Sequence, residues 1–168
     1  VPKYEMIAMS VGGTMVLIVA ALVIAVDQLT KYLVKLNLPE GATIPLVGDA
    51  LRITHVRNSG AAFGMLPDRQ VFLIAASAAV IFAIAIYYLG HRPLKPLMKI
   101  ALGLELGGAI GNLIDRLLVG RVTDFIDVRV WPVFNLADSA VVCGVALLIF
   151  ELFLLERERK ANNIGVGD

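Results

Sequence analysis

Apolar residues in this chain fall into four long runs separated by polar segments, and each run has the length of a membrane crossing. Ile7 to Val26 is interrupted only by Ser10, Gly12, Gly13 and Thr14. About twenty residues at ~1.5 Å each reach roughly 30 Å, the thickness of the hydrocarbon core. A cleaved leader is the rival reading of this run; one Lys before it and no small-x-small site after it favour a retained helix. Val71 to Leu89 carries no charge and closes on Tyr87 and Tyr88, aromatic residues suited to interfacial depth. Leu97 to Leu118 is interrupted by Glu105 and Asn112, and Phe134 to Leu155 forms the last run. The pattern predicts an all-α integral membrane protein: one membrane-embedded domain over 1–168 with crossings at about 7–26, 71–89, 97–118 and 134–155.

The segment between the first two crossings, about 38–67, reads as a small extracytoplasmic β-sheet or hairpin. Thr43 to Val47 and Leu51 to Val56 are rich in Ile, Leu, Val and Thr, and Gly48-Asp49 between them suits a two-residue turn. Asn58-Ser59-Gly60-Ala61-Ala62-Phe63-Gly64 follows. Small residues there allow a second backbone to approach, and the Asn58 amide both donates and accepts. An ordinary tight loop fits the same residues.

Composition agrees with the membrane reading. The chain is 58% hydrophobic with a mean hydropathy of +0.81, above the usual range of a soluble domain. A net charge of +1 gives no compositional support for a nucleic-acid partner. His55, His91 and Cys143 do not form a metal-ligand cluster, so no metal and no cofactor are expected. Cys143, inside an apolar run, reads as a small packing residue. Four crossings put both termini on one side. Arg92, Lys95 and Lys99 crowd the short second connection and Arg157, Arg159 and Lys160 abut the last crossing, which favours cytoplasmic termini.

The polar residues that remain converge on one stretch. Between the third and fourth crossings lie Asp115, Arg116, Arg121, Asp124, Asp127 and Arg129, with Asn135 and Asp138 opening the fourth. Carboxylates at the edge of a hydrocarbon-length helix are costly to desolvate and call for partners or a function. If Val122 to Arg129 is extended, Asp124 shares the aliphatic face with Val122, Ile126 and Val128, and Asp127 lies beside Arg129. Asp138 comes three residues after Asn135, on the same side of the helix. The link Trp131-Pro132-Val133 lets Asp124 approach Asp138. Two such carboxyls in a poorly solvated place share one proton, the requirement for acid–base peptide hydrolysis. A structural ion-pair network, with Arg116, Arg121 and Arg129 matching the three aspartates, uses the same residues. At the end of the first run, Asp27 and Lys31 stand four apart on one helical face and can pair at the membrane boundary, whether facing water or serving a site.

Five pieces in order, Asp27-Gln28-Leu29-Thr30-Lys31, Asn58 to Phe63, Gly107 to Arg116, Val122-Thr123-Asp124-Phe125 and Phe134-Asn135-Leu136-Ala137-Asp138, resemble the bacterial lipoprotein signal peptidases (signal peptidase II), aspartic proteases of the membrane. The resemblance spans about Asp27 to Gly144. It implies a four-helix enzyme of the bacterial cytoplasmic (inner) membrane with a small extracytoplasmic sheet. Such an enzyme cleaves the signal peptide of a diacylglyceryl-modified prolipoprotein just before the lipid-bearing cysteine, acts as a monomer and is blocked by globomycin-like peptides. The family's catalytic pair falls on Asp124 and Asp138. Its other motif residues fall on Asn58, Gly60, Asn112, Arg116, Asn135, Asp115, Asp27 and Lys31. Among these, Asn112 and Arg116 are implied to bind the substrate backbone, Asn135 to hold the pair, and Asp27, Lys31 and Asp115 to support the geometry. The membrane lipid that carries the substrate's acyl chains is the remaining expected partner.

Glu105 stands apart from these motifs. It either faces the bundle interior as a protonated hydrogen-bonding group or snorkels towards the inner face. The alternative function from another class is a small proton-coupled transporter or channel subunit using Asp27, Glu105, Asp124 and Asp138 as a relay. A non-catalytic membrane adaptor is a third. A relay places ionisable groups at several depths, whereas here only Glu105 is deep.

Overall fold

A computed structural model describes the backbone of residues 3–48, 50–60, 70–90 and 94–164, with side chains over 14–48, 50–60, 70–90 and 94–162. The order is α1 (Lys3–Asn37), β1 (Thr43–Val47), β2 (Leu51–Asn58), α2 (Gln70–Gly90), α3 (Pro96–Leu118), β3 (Val122–Asp127) and α4 (Leu136–Ile164). Each helix holds a stretch long and apolar enough to cross a membrane: Thr14–Asn37, Gln70–Gly90, Pro96–Leu118 and Leu136–Asn162.

Helix α3 is the centre of the bundle because its small residues admit neighbours closely. A Cβ on Gly107 would lie 2.8 Å from the Ala20 carbonyl oxygen of α1, and one on Gly108 would run into the Ala137 carbonyl of α4. Without side chains at these points the helix backbones meet directly, the means by which membrane helices gain contact when lipid offers no hydrophobic drive. Successive contacts, Gly103 with Val16 and Val19, Gly107 with Ala20 and Val23, Gly111 with Asp27, show α1 running parallel to α3. Helix α4 runs antiparallel, with Gly144 against Ala101 and Glu105. Helix α2 packs chiefly on α3; Gln70 reaches Arg116 at one end, and Ile84 joins Val16, Met98 and Leu102 in the apolar cluster at the other.

Two helices differ in their bounds from the hydrophobic runs that predict them. Helix α1 does not stop at Val26 but continues to Asn37. Val26, Leu29, Leu33 and Leu36 carry its exposed apolar stripe past Asp27, while Asp27 and Lys31 turn inward and are fully buried. This pair is therefore inside the bundle, which decides against the water-facing one of the two readings the sequence left open. Helix α4 starts two residues after Phe134, because Phe134 is held in a β-bridge with Ile126, and it continues past Leu155 with the Glu156–Lys160 pair on its exposed end. Cys143 is exposed on the face turned away from the bundle, so it does not pack in the interior as its apolar run suggested.

The predicted hairpin forms, and β3 joins it to give an antiparallel sheet of order β1-β2-β3. Gly48 takes the left-handed conformation (φ +49°) at the turn, and the Ala50 amide closes it on the Val47 carbonyl; Asp49 lies outside the described residues. Ala61 to Pro67, the rest of the expected β region, also lie outside them. The sheet is tied to the end of α1 by His55, buried, whose Nδ1 lies 2.7 Å from the Leu38 carbonyl oxygen. A carbonyl only accepts, so this nitrogen carries the ring proton. Pairing places Val56 opposite Asp124 and Asn58 opposite Val122, which brings the hairpin's last residue beside the start of β3.

Candidate active site

Helix α4 begins with a reciprocal cap. Asn135 is its N-cap: the Asn135 carboxamide oxygen accepts the Asp138 amide at 2.9 Å, and the Asp138 carboxyl accepts the Asn135 amide at 3.2 Å through Oδ2. This is the capping-box arrangement, with Asp in the place usual for Glu or Gln. A further free amide of the first turn, on Ala137, donates to Asp27 Oδ1 at 3.0 Å. Asp138 is thus fixed by the need to satisfy a helix terminus inside the protein.

Asp124 comes from β3 and meets the same cap. Its Oδ1 accepts the Asn135 side-chain amide at 2.6 Å, and its Oδ2 accepts the Asn58 amide from β2 at 3.0 Å. Asp138 Oδ1 accepts the Asn112 amide at 2.7 Å. All four oxygens of the two carboxyls are held by amides, and Asn135 bonds to both. Burial raises Asp124 to a pKa of about 6; the negative Asp138 adds to this, while the Asn58 and Asn135 hydrogen bonds and the Lys31 charge oppose it. A carboxyl so placed beside a second one retains a proton that an exposed aspartate loses.

Behind the pair lies a buried polar network. Lys31 Nζ contacts Asp27 Oδ2 at 2.8 Å, Asn112 Oδ1 at 2.9 Å and Asp115 Oδ2 at 3.2 Å. The same Asn112 oxygen accepts from Asn135 at 3.1 Å. Asp115 also accepts the Thr123 amide at 3.1 Å, which fixes the start of β3 to the end of α3. Asp27, Lys31, Asn112, Asp115 and Asn135, separate in sequence, are therefore one cross-bonded unit under the two carboxyls. The Asn58 carboxamide is spanned between Asp124 and the Gly60 amide, 2.9 Å away. Arg116 lies within electrostatic reach of Asp138, Asp124 and Asp115, and its Nη1 is 3.4 Å from Ser77 Oγ on α2.

Three supporting residues escaped the sequence reading. Gln28 Nε2 bonds Asp27 Oδ2 and the Gly111 carbonyl, both at 3.1 Å, and lies 3.4 Å from Asp115 Oδ1. Its neighbour Asp27 and its position three residues before Lys31 place it near the inward face of α1, which was the available signal. Gln70 holds the Arg116 carbonyl at 2.6 Å. Ser77, in an otherwise apolar run, had no such neighbour to mark it. A cavity of about 300 Å³ lies beside Gln70, lined by Ser59, Val119, Gly120 and Arg121 as well, and includes neither carboxyl.

Asp127, the third aspartate of the link, belongs elsewhere. Arg52 bonds it at 2.6 Å and Thr54 at 2.8 Å, and Arg129 donates its backbone amide at 2.9 Å. The Arg129 amide first, then Thr54 and Arg52, hold this carboxyl below the usual range. It is a sheet-locking ion pair. Asp124 and Asp138 carry amide partners in place of the arginines that a structural ion-pair network would have supplied.

The family model for signal peptidase (SPase) II matches residues 19–154. The lipoprotein signal peptidase of Moorella thermoacetica is 48% identical over 140 residues, covering 82% of this chain and 92% of that protein. That of Bacillus subtilis is 42% identical over 146 residues, covering 84% and 95%. A solved bacterial membrane enzyme, determined by the in meso method at 2.3 Å resolution, superposes with a TM-score of 0.77 at 34% identity, over 84% of this chain and 88% of its own. The matched stretch contains both carboxyls, their asparagine cap and the Lys31 network, and on this evidence the chain belongs to the signal peptidase II family.

Proposed function

We propose that this protein is a membrane aspartic endopeptidase that removes signal peptides from diacylglyceryl-modified prolipoproteins, cutting before the lipid-bearing cysteine. The relatives named lipoprotein signal peptidases support the substrate class. The observation that carries the mechanism is the pair of hydrogen bonds that Asn135 donates, from its side chain to Asp124 and from its backbone to Asp138. One residue thereby fixes the two carboxyls against each other in a buried place.

The pair holds one proton. Its charged member takes a proton from a water as the water oxygen attacks the scissile carbonyl carbon, and its protonated member gives a proton to the carbonyl oxygen. The member that took the water proton then gives it to the leaving nitrogen while the other takes a proton from a hydroxyl of the resulting gem-diol. The C–N bond breaks as the C=O reforms, and a carboxyl and an amine are released with the pair back in its starting state. Neither a nucleophilic side chain nor a metal is needed for this sequence. Asn112 and Asn58 orient the carboxyls, Arg116 faces the negative charge, and Asp27, Asp115 and Lys31 keep the supporting helices in register. Gly60 leaves room for an extended substrate backbone.

The basic residues at the α2–α3 connection and after Leu155 support cytoplasmic termini in the bacterial inner membrane. The carboxyl pair is then near the extracytoplasmic face, where a diacylglyceryl group anchored in the outer leaflet holds the cleavage point. One chain supplies the whole site, so a monomer suffices, and globomycin-like peptides are expected to compete for it. The test uses purified protein in detergent with a diacylglyceryl prolipoprotein. Asp124→Asn and Asp138→Asn are each expected to lower turnover by about 10²–10⁴-fold or more with folding retained. Robust cleavage by either variant refutes the mechanism.

A further inference from the structure

Glu105 is the one acidic side chain near the middle of α3, and the mechanism above leaves it without work. Three observations place it. Glu105, Asn112 and Arg116 recur at intervals of seven and four along α3, so they share one face. Helix α2 meets that face at Arg116, whose Nη1 is 3.4 Å from Ser77 Oγ, while Glu105, farther along it, is only partly buried. Glu105 is held there and does not snorkel: a Cβ on Gly144 would come within 2.6 Å of Glu105 Cγ, so the stem of the side chain lies in the notch that this glycine leaves in α4. Its carboxyl oxygen Oε1 is buried with no hydrogen-bond partner among the described residues.

We propose that Glu105 is a specificity-determining residue that receives the end of the substrate's membrane helix, donating a hydrogen bond to a backbone carbonyl a few residues before the scissile bond. This rests on the peptidase reading and deepens it. A signal peptide crossing the bilayer is helical because its backbone groups find no other partners in hydrocarbon. At the carboxyl pair it must be extended to be cut, so its helix ends just below, and the last turn of any helix leaves carbonyls unpaired. Asn112 bonds Asp138 and marks the depth of the pair. Glu105 lies seven residues below it, about 10 Å along the axis. An extended chain covers that distance in about three residues at ~3.3 Å each. Unpaired carbonyls therefore arrive at the depth of Glu105. A carboxyl group with no cation beside it in hydrocarbon is carried as the neutral acid, whose O–H is a donor.

The test compares two substrates with purified enzyme in detergent: the full diacylglyceryl prolipoprotein, and a short diacylglyceryl peptide beginning three residues before the cut. Glu105→Leu is expected to lower kcat/KM on the full substrate about tenfold, a loss typical of one hydrogen bond. Glu105→Gln, which keeps a donor, is expected to stay within about threefold of the parent. Neither variant should change cleavage of the short peptide, which has no helix to end. Parent-like cleavage of the full substrate by Glu105→Leu overturns the proposal. So does an equal loss on both substrates, which marks a structural role, or a loss in Glu105→Gln as large as in Glu105→Leu. If the parent cleaves neither substrate, the peptidase reading itself fails, and this proposal with it.

Discussion

The two ends of the bundle handle polar groups in opposite ways. At the end that carries the carboxyl pair, Asp27, Lys31, Asn112, Asp115, Asp124 and Asn135 are buried, and each is bonded to residues on other elements. At the opposite end the ion pairs Lys95–Glu158 and Lys160–Glu156 are exposed, and the interior is the apolar cluster of Val16, Ile84, Met98 and Leu102. Glu151 is the exception there, buried with Oε1 lacking a partner among the described residues. One end is set by geometry that must be satisfied atom by atom; the other is set by volume. Buried charge is tolerable only where each donor and acceptor is matched, and a network so matched fixes its members in place.

The largest expected effect comes from breaking that network at its cation. Lys31→Met leaves Asp27 and Asp115 buried beside each other without their counter-charge, a loss of about 3–5 kcal/mol for a buried pair deprived of one partner. Lys95→Met removes an ion pair of similar length at the exposed end, 2.7 Å to Glu158, and is expected to cost less than about 1 kcal/mol. Thermal midpoints measured in the same detergent check both. Equal shifts for the two variants would show that burial does not separate the ends.

Helix packing offers the next contrast. Gly108→Ala drives a methyl group into the Ala137 carbonyl, one residue from Asp138, and overpacking of this kind costs about 1–3 kcal/mol. Its methyl group pushes on the first turn of α4, so activity is expected to fall further than stability. Gly90→Ala meets nothing within 4 Å at the far end of α2 and is expected to leave both unchanged. A ratio of turnover to stability that stays constant across the two variants would argue against a pair held by close helix contact.

Much of this was legible in the sequence where the physics is local or periodic. The four runs predict the four crossings because bilayer thickness sets their length. The hairpin follows from β-branched residues around Gly48. Asp124 is buried as the alternation in Val122 to Arg129 suggests, although the other face of β3, with Thr123, Phe125 and Asp127, is buried as well. What escaped depended on contacts distant in sequence. Asp27 looked like the end of a helix because an aspartate in an apolar run normally is one. Its burial is tolerable because Lys31 and Gln28 bond one oxygen and the Ala137 amide, far away in sequence, bonds the other. The alternation sets Asp124 apart from Asp127 in the link, but both are buried, and what makes Asp127 an ion pair is Arg52 on another strand. The proton-relay alternative weakened for a related reason: Asp27, Asp124 and Asp138 are joined in one cluster at one depth, and the relatives are peptidases.

The smallest effect expected is a displacement along the pH axis, and it too separates the ends. The pair works with one proton. Asp124, raised to about 6, gives up that proton in the resting enzyme as the pH rises through that value, so kcat/KM should decline on the alkaline side with an apparent pKa near 6 that belongs to the pair. The Asn58 amide bonds the charged form of Asp124 and so lowers its pKa. Removing it in Asn58→Ala takes that stabilisation from the charged form, and the alkaline limb should move to higher pH, whatever happens to the maximal rate. Lys95→Met, at the exposed end, should leave the limb where it is. A limb that moves down in Asn58→Ala, or that moves equally in both variants, would mean that the titrating group is not the one Asn58 holds.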